Sequence, residues 1–263
     1  MIIKLSLITL LFCLSLTGQA ASLPWDGKAA AVSLSYDDAL NVHIDKVAPA
    51  LEKRKMRGTF YINGNSEGFK NRIEDWRKVA AKGHELGNHT LFHPCMGGAG
   101  REWLNAEWDL NTWTVKRLND NILINNALLQ AVDGQTERSF AYTCGDTLAG
   151  GQAFYPLIQQ HFVAARGVSG GYARLEEVDL NKLRAFTIVK QNADELIQQV
   201  DQAIKEKAWL VFLFHGVGGE HDMNIAQEEH DKLLDYLKKR RKAVWLAPVR
   251  EIGGFVSEYQ EKK

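Results

Sequence analysis

The sequence has few cysteines and no excess of charge of either sign. Its 263 residues include 3 cysteines, and the 32 Lys and Arg residues are matched by 32 Asp and Glu residues. A disulfide-rich scaffold needs more cysteines, and a protein that grips a polyanion such as nucleic acid needs a basic surface. The composition therefore argues against both classes and favours a partner without strong charge.

Internal repeats, low-complexity tracts and linkers are also absent, and the one long apolar run lies at the N-terminus. There, MIIKLSLITLLFCLSLTGQA combines Lys4, an apolar run and the small residues Gly18 and Ala20. We predict a signal peptide over residues 1–20 and one domain over residues 21–263. An uncleaved anchor is the alternative, but the run is short for a membrane span. We expect a periplasmic or secreted protein with no stable membrane insertion after cleavage.

Apolar runs rich in β-branched and aromatic residues alternate with stretches of helical periodicity. Strands are predicted from Ala31 to the aspartates that follow, and at 58–62, 85–88, 139–142, 161–165, 183–188, 209–214 and 243–246. One helix is predicted at each of 43–55, with a kink at Pro49, 71–82, 194–205 and 225–240, and one or two helices are predicted over 101–131. This alternation favours parallel βα units, and the glycines that recur just beyond the strands are typical of the loops at the C-terminal rim of such a sheet.

The segment Gly83–Pro94, GHELGNHTLFHP, contains three histidines within twelve residues. His89 and His93 are four residues apart, so a single helical turn would place both imidazoles on one face. Neutral imidazole is the commonest protein ligand for zinc-like ions. The spacing indicates a metal site that still needs a third ligand.

A carboxylate ligand is available where the apolar run AVSLSY ends at Asp37 and Asp38. Neighbouring side chains of a strand point to opposite faces, so one aspartate can bind a metal while the other stays free. Two histidines and one carboxylate leave a coordination position for water, and a free carboxylate can accept a proton from that water. The pattern indicates metal-assisted hydrolysis.

SYDDAL and HELGNHTLFHP resemble the first two motifs of the polysaccharide deacetylases, the NodB-homology or carbohydrate esterase family 4 enzymes, which read about TFDDG and H-[ST]-x-x-H. The resemblance implies an α/β fold of the irregular (β/α) barrel type. It implies Asp37 as general base, and Asp38, His89 and His93 as metal ligands. It further implies an acetylated glycan as substrate. Zinc suits the ligand set best, and cobalt, nickel or manganese would fit the same ligands.

The last family motif, L-x-H, resembles the segment that ends the predicted strand at 209–214. The resemblance implies that Leu213 shapes the acetyl pocket and that His215 is the general acid. The family's aspartate–tryptophan motif, which helps to tune this histidine, is not recognisable in the sequence. We therefore expect His215 to use Asp222, Glu220 or no carboxylate at all.

The third family motif, about R-x-P-Y, aligns with FAYTCG at residues 140–145, where Ala141 replaces the arginine and Cys144 replaces the tyrosine. The backbone N–H of Cys144 can still donate to the oxyanion, because that role needs no particular side chain. Arg166, at the end of the next predicted strand, is our candidate to replace the missing arginine.

Trp103 and Trp108 follow the metal motif and are candidates for stacking on sugar rings. Cys95 and Cys144 either pair or bind metal as thiolates, and the sequence does not decide between these options. The leading hypothesis is an exported deacetylase of carbohydrate N-acetyl or O-acetyl groups. The alternatives are a non-sugar amide hydrolase of the same superfamily and a carbohydrate-binding protein with a vestigial site. The sequence leaves the oligomeric state open.

Overall fold

The computed structural model describes residues 23–263. The strands are β1 (Ala30–Asp37), β2 (Thr59–Ile62), β3 (Glu85–Asn88), β4 (Phe140–Ala141), β5 (Leu148–Ala149), β6 (Gln152–Ala153), β7 (Ala165–Arg166), β8 (Ala173–Arg174), β9 (Phe186–Thr187), β10 (Ala208–Phe214), β11 (Gly216–Val217), β12 (Asn224–Ile225) and β13 (Val244–Leu246). The α-helices are α1 (Ala48–Lys53), α2 (Glu67–Lys70), α3 (Ile73–Ala81), α4 (Val115–Asp133), α5 (Tyr155–Ile158), α6 (Ala193–Glu206), α7 (Gln227–Lys239) and α8 (Val249–Glu261).

The main sheet runs in the order β7, β4, β3, β2, β1, β10, and all neighbours on this path are parallel. Strand β9 pairs with β10 on its far side. The Gly167 N–H, directly after β7, donates at 2.9 Å to the carbonyl oxygen of Leu183, which lies just before β9. This bond attaches the segment that contains β9 to β7 as well. The sheet therefore curls until its two edges meet through one segment, and the expected irregular (β/α) barrel is confirmed.

Strands β1 and β10 form the centre of this barrel, and every residue of both is buried. Fully buried parallel strands are expected to read as nearly continuous apolar runs, and these two do. The exceptions in β1 are bonded: the Ser33 hydroxyl donates to the Ala247 carbonyl and the Ser35 hydroxyl to the Phe212 carbonyl. Because β1 and β10 are parallel neighbours, Asp37 and His215 emerge at the same edge of the sheet.

The helical prediction over 101–131 is wrong in its first half. Residues 106–108 and 110–112 form single 3₁₀ turns, and α4 begins only at Val115. The helix starts there because the Thr114 side chain accepts a hydrogen bond from the Arg117 N–H, which is an N-cap. The sequence interpretation also missed α8, whose buried positions Val249, Ile252 and Val256 have helical spacing.

Of the strand predicted at 161–165 only the last residue belongs to β7 (Ala165–Arg166), and the strand predicted at 183–188 contracts to β9 (Phe186–Thr187). Pro49 does not break the predicted helix at 43–55, because it lies in the first turn of α1, directly after a π-helical turn at His43–Val47. The predicted signal peptide lies outside the described residues. Within residues 23–263, no helix combines the length and the apolar character that a membrane span requires.

Candidate metal centre and catalytic cleft

The two aspartates diverge where β1 ends. Asp37 is the last residue of the strand, whereas Asp38 follows it with a left-handed backbone, at φ 80°. Left-handed backbone is uncommon for a residue other than glycine and concentrates at functional sites. The turn directs the Asp38 carboxylate towards His93 and leaves Asp37 beside Arg166, with its Oδ2 atom 3.7 Å from His89 Nε2.

His89 and His93 meet without the helical turn that their spacing suggested. The loop after β3 is irregular, and Thr90 and His93 have φ values of 62° and 52°. The ring centroids of the two histidines nevertheless lie 4.8 Å apart. The prediction of a shared helical face is wrong, but the loop brings the same two rings together.

Asp38, His89 and His93 place one potential ligand atom each within 4.8 Å of one another. The Asp38 Oδ1 atom lies 3.4 Å from His93 Nε2 and 3.7 Å from His89 Nε2. His89 Nδ1 lies 2.9 Å from the Ala141 carbonyl oxygen, which can only accept a hydrogen bond. The proton of the neutral ring is therefore on Nδ1, and Nε2 offers its lone pair to the cluster, as a metal ligand must. These donors fit a divalent metal ion.

The ionisation of this cluster also suits a cation. Burial alone would raise the pKa of Asp38, but His93, His89 and their neighbours lower it to about 2. Burial lowers the pKa of His89 to about 4, so this ring is neutral at pH 7. A charged carboxylate and a neutral imidazole are the forms that bind metal.

Arg166 holds the second carboxylate. Its Nη2 atom lies 2.6 Å from both Asp37 oxygens, and both residues are almost completely buried. The guanidinium also lies over the Tyr61 ring, 4.8 Å from the centroid. Burial raises the pKa of Asp37, but the charge of Arg166, together with nearby histidines, more than offsets it, so the pKa falls below its ordinary value. Asp37 is thus an oriented, ionised carboxylate.

His215 enters the same cleft from β10. Its Nε2 atom lies 3.8 Å from Asp38 Oδ2, and its buried Nδ1 atom has no hydrogen-bond partner among residues 23–263. Glu220, one predicted partner, is instead bonded to the backbone N–H groups of Asn41 and Val42. Since Nδ1 has no partner within these residues, neither Glu220 nor Asp222 bonds it, and of the three predicted options the one without a carboxylate partner describes this nitrogen.

A cleft of about 890 Å³ opens over these groups. Leu213 lies in its floor and is buried, whereas Trp103 stands on its rim with 64% of its surface exposed. Trp108 also lines the cleft, with its ring stacked on Phe92 at 4.4 Å between centroids. The cleft thus combines polar groups at its base with aromatic faces at its edge.

Cys144 lines the cleft and forms a disulfide with Cys95. Pairing is therefore the observed state of the two cysteines. Cys144 has a left-handed backbone, at φ 55°, and the next residue, Gly145, is also left-handed. The disulfide ties this turn to the loop that carries His93.

Two features of the site escaped the sequence interpretation. His221 stacks on His215, with centroids 4.6 Å apart, and its Nε2 atom lies 3.9 Å from Asp38 Oδ2. On α4, Asn121 accepts a hydrogen bond from the Leu91 N–H, and Asn125 donates to Asn88. The spacing of Asn121 and Asn125, four residues apart on a helix, was the available indication of the second feature.

Residues 26–150 match the family model described as polysaccharide deacetylase. The chain is 38% identical over 56 residues to the uncharacterized protein YlxY of Bacillus subtilis, a match that covers 21% of this chain and 17% of that protein. It is 34% identical over 82 residues to a chitooligosaccharide deacetylase of Sinorhizobium fredii, covering 30% of this chain and 37% of that protein. These alignments span well under half of either relative.

Two solved structures share the fold over most of the chain. Bacillus subtilis PdaA, a family 4 carbohydrate esterase, superposes with a TM-score of 0.56 at 17% identity, covering 89% of this chain and 82% of that one. A family 4 pseudoenzyme from Bacillus anthracis superposes with a TM-score of 0.52 at 17% identity, covering 85% and 65%. The same architecture thus supports both an esterase and a protein described as a pseudoenzyme.

Proposed function

Since this chain belongs to the polysaccharide deacetylase family, we propose that it is an exported, metal-dependent hydrolase that removes acetyl groups from a carbohydrate. The proposal rests on three convergent ligand groups beside a second carboxylate that an arginine holds. Asp38, His89 and His93 converge, while Asp37, whose Oδ2 atom lies 3.7 Å from His89 Nε2, accepts hydrogen bonds from Arg166 at both of its oxygens. A protein that only binds glycans has no need of an oriented, ionised carboxylate beside a metal site.

In this proposal Asp38, His89 and His93 hold a divalent ion, most simply zinc. When bound, such an ion supplies a Lewis acid that polarises the acetyl carbonyl and lowers the pKa of water. Asp37 accepts the proton of the attacking water at a carboxylate oxygen, and Arg166 fixes the orientation of that carboxylate.

The remaining cleft residues serve the acetyl group and the leaving group. The Cys144 N–H donates to the developing oxyanion, and Leu213 encloses the acetyl methyl group. His215 delivers a proton from Nε2 to the departing amine or alcohol. Trp103 and Trp108 offer aromatic faces to the sugar rings. Export rests on the leader-like N-terminal segment, and glycans of the cell envelope or its surroundings are the expected substrate class.

The test is acetate release by the purified, zinc-loaded protein from chitooligosaccharides, peptidoglycan fragments, acetylated xylan and a panel of N-acetylated non-sugar amines. We expect acetate from at least one glycan, lost on treatment with a chelator and restored by zinc. Acetate from non-sugar amides alone would favour the amide hydrolase. Chelator-insensitive glycan binding without acetate release would favour the vestigial binder.

A further inference from the structure

The Cys95–Cys144 disulfide lies directly against one of the proposed metal ligands. The Cys95 sulfur is 3.7 Å from His93 Nδ1, while Nε2 of the same ring lies 3.4 Å from Asp38 Oδ1. The imidazole of His93 therefore stands between two groups, with one nitrogen facing the carboxylate and the other facing the disulfide. Pairing and metal binding of the two cysteines are therefore connected through the same histidine.

Three potential ligand atoms converge on the disulfide side of His93. The two sulfurs and one His93 ring nitrogen all lie within 4.8 Å of one another. Two thiolates and one imidazole form a recurrent donor set for zinc, and thiolate favours soft, thiophilic ions over the hard ions that carboxylate and water prefer. While the sulfurs are bonded to each other they are not thiolates, so this donor set does not bind a metal ion in the oxidised protein.

Non-covalent contacts hold the two cysteine-bearing segments together independently of the disulfide. The Thr143 hydroxyl donates to the Pro94 carbonyl, and the Met96 N–H donates to Asp146 at 2.7 Å. Arg101 bridges the segments by donating to Asp146 and to the Met96 carbonyl. Opening the disulfide therefore leaves both sulfurs close to His93.

We propose that Cys95, Cys144 and His93 form a second, redox-gated metal site that binds thiophilic divalent ions when the disulfide is reduced. A two-electron reductant such as a phosphine breaks the S–S bond. The phosphine is oxidised to its oxide, with water supplying the oxygen and the two thiol protons. Each thiol then releases its proton to solvent as its sulfur–metal bond forms.

The second site competes with the first because both use one neutral imidazole, which has a single free lone pair. When an ion binds to the two thiolates and His93, the lone pair of that imidazole is no longer available to an ion held by Asp38 and His89. A small-molecule disulfide can reverse the change: the two thiolates form the Cys95–Cys144 bond, the oxidant is reduced to two thiols with protons from solvent, the ion is released, and the His93 lone pair is again available to the hydrolytic set. The disulfide thus selects which ion the loop binds, and this selection does not depend on the reaction that the first site catalyses.

The direct test is cobalt and cadmium binding to the metal-free full chain, with the disulfide intact and after anaerobic reduction by a phosphine. We expect a thiolate-to-cobalt charge-transfer band in the near ultraviolet only after reduction, and cadmium binding that tightens by more than about tenfold. The matched control is the Cys95→Ser, Cys144→Ser double variant, which keeps Cys13 and should show neither change. His93→Ala should weaken cadmium binding to the reduced chain by about tenfold or more.

Circular dichroism monitors the fold in both states. A reduced chain with native dichroism, two additional free thiols and no charge-transfer band would overturn the proposal. Loss of the native dichroism on reduction would overturn it as well, because the non-covalent contacts would then fail to hold the sulfurs together. Every readout is metal binding or fold. The test therefore gives a result even if the protein has no deacetylase activity.

Discussion

At the scale of single residues, the contact that best defines the site is the one between Arg166 and Asp37. Ala141 stands where the third family motif has an arginine, and Arg166 on β7, the neighbouring strand, contacts both oxygens of Asp37. A charged hydrogen bond between two buried partners orients the carboxylate and keeps it ionised. We assign Arg166 the role of positioning the proposed base.

Replacing Arg166 with Met should affect both stability and the pH dependence of turnover. The buried Asp37 carboxylate would lose its partner, which costs about 3–5 kcal/mol in comparable buried pairs. The pKa of Asp37 would rise, so the acidic limb of the pH profile of kcat/KM should move to higher pH. Steady-state kinetics between about pH 4 and pH 8, the range in which carboxylates and imidazoles titrate, measures the shift.

Arg166→Lys is the matched control for that substitution. It keeps a positive charge but loses the planar guanidinium, so the pH profile should move less than in Arg166→Met while kcat still falls. An Arg166→Met enzyme with the wild-type acidic limb would contradict the assignment of Arg166 and Asp37 as a coupled pair.

At the scale of elements, helix α4 supports the loop that carries the proposed ligands. Asn121 accepts from the Leu91 N–H at 2.9 Å, between His89 and His93 in sequence. Asn125 donates to the Asn88 side chain, which in turn accepts from the Thr90 N–H. These buried amides take the place of regular secondary structure in holding a strained loop.

Asn121→Ala should therefore weaken metal binding as well as the fold. Losing one hydrogen bond to the loop is expected to cost about 1–2 kcal/mol of stability, whereas outer supports of metal ligands are typically worth about 10-fold or more in affinity. Zinc titration and urea unfolding measure the two effects. Asn119→Ala, on the same helix, is the control, because the Asn119 side-chain oxygen has no partner within the described part of the chain. Equal zinc affinities for the two variants would show that α4 does not support the site.

The elements also show how far sequence reasoning reaches. The buried strands β1 and β10 were readable because their runs of apolar residues are long, and the ends of those strands located Asp37 and His215. The ladders β7 and β9 are two residues each, and such short pairings are fixed by tertiary contacts rather than by local pattern. The apolar spacing of residues 106–112 resembles that of a helix and predicts one. Asn105 and Asp109 instead cap two separate 3₁₀ turns, and caps so close together are the indication that no continuous helix forms there.

The site itself was partly readable for a physical reason. Residues that follow long parallel strands are brought to one edge of the sheet by topology, so Asp37, Asp38 and His215 could be grouped from sequence. His221 could not, because it reaches His215 through an irregular turn with Gly218, Gly219 and Glu220 in the left-handed region. Arg166 and Asp37 are 129 positions apart. The sequence therefore offered Arg166 as a candidate but could not predict its contact with Asp37.

At the scale of the whole molecule, buried histidines make the stability of the folded state depend on pH. Burial lowers the pKa of His43, His84 and His89 to about 4 and that of His230 to about 3. In the unfolded chain each titrates near 6.5, so the unfolded state binds these protons first as the pH falls. The stability that the neutral rings contribute is present in full above about pH 6.5 and is lost progressively between about pH 6.5 and the folded pKa values.

The metal-free protein should therefore lose stability between pH 7 and pH 5, above the range in which carboxylates titrate. His230, whose Nε2 lies 2.8 Å from the Tyr36 hydroxyl, should account for about 2 kcal/mol of this loss. Urea unfolding at the two pH values measures it, and His230→Gln should reduce the difference. A wild-type protein equally stable at both pH values would refute this account.

In the proposed mechanism one carboxylate at the end of β1 binds the metal and its neighbour accepts the proton. Zinc content and acetate release, determined in parallel for wild type, Asp37→Asn and Asp38→Asn on the best glycan substrate, separate these two roles. We expect Asp37→Asn to retain zinc and lose turnover by about 100-fold or more, and Asp38→Asn to lose both. Near wild-type turnover in zinc-loaded Asp37→Asn, or full zinc content and turnover in Asp38→Asn, would contradict this mechanism.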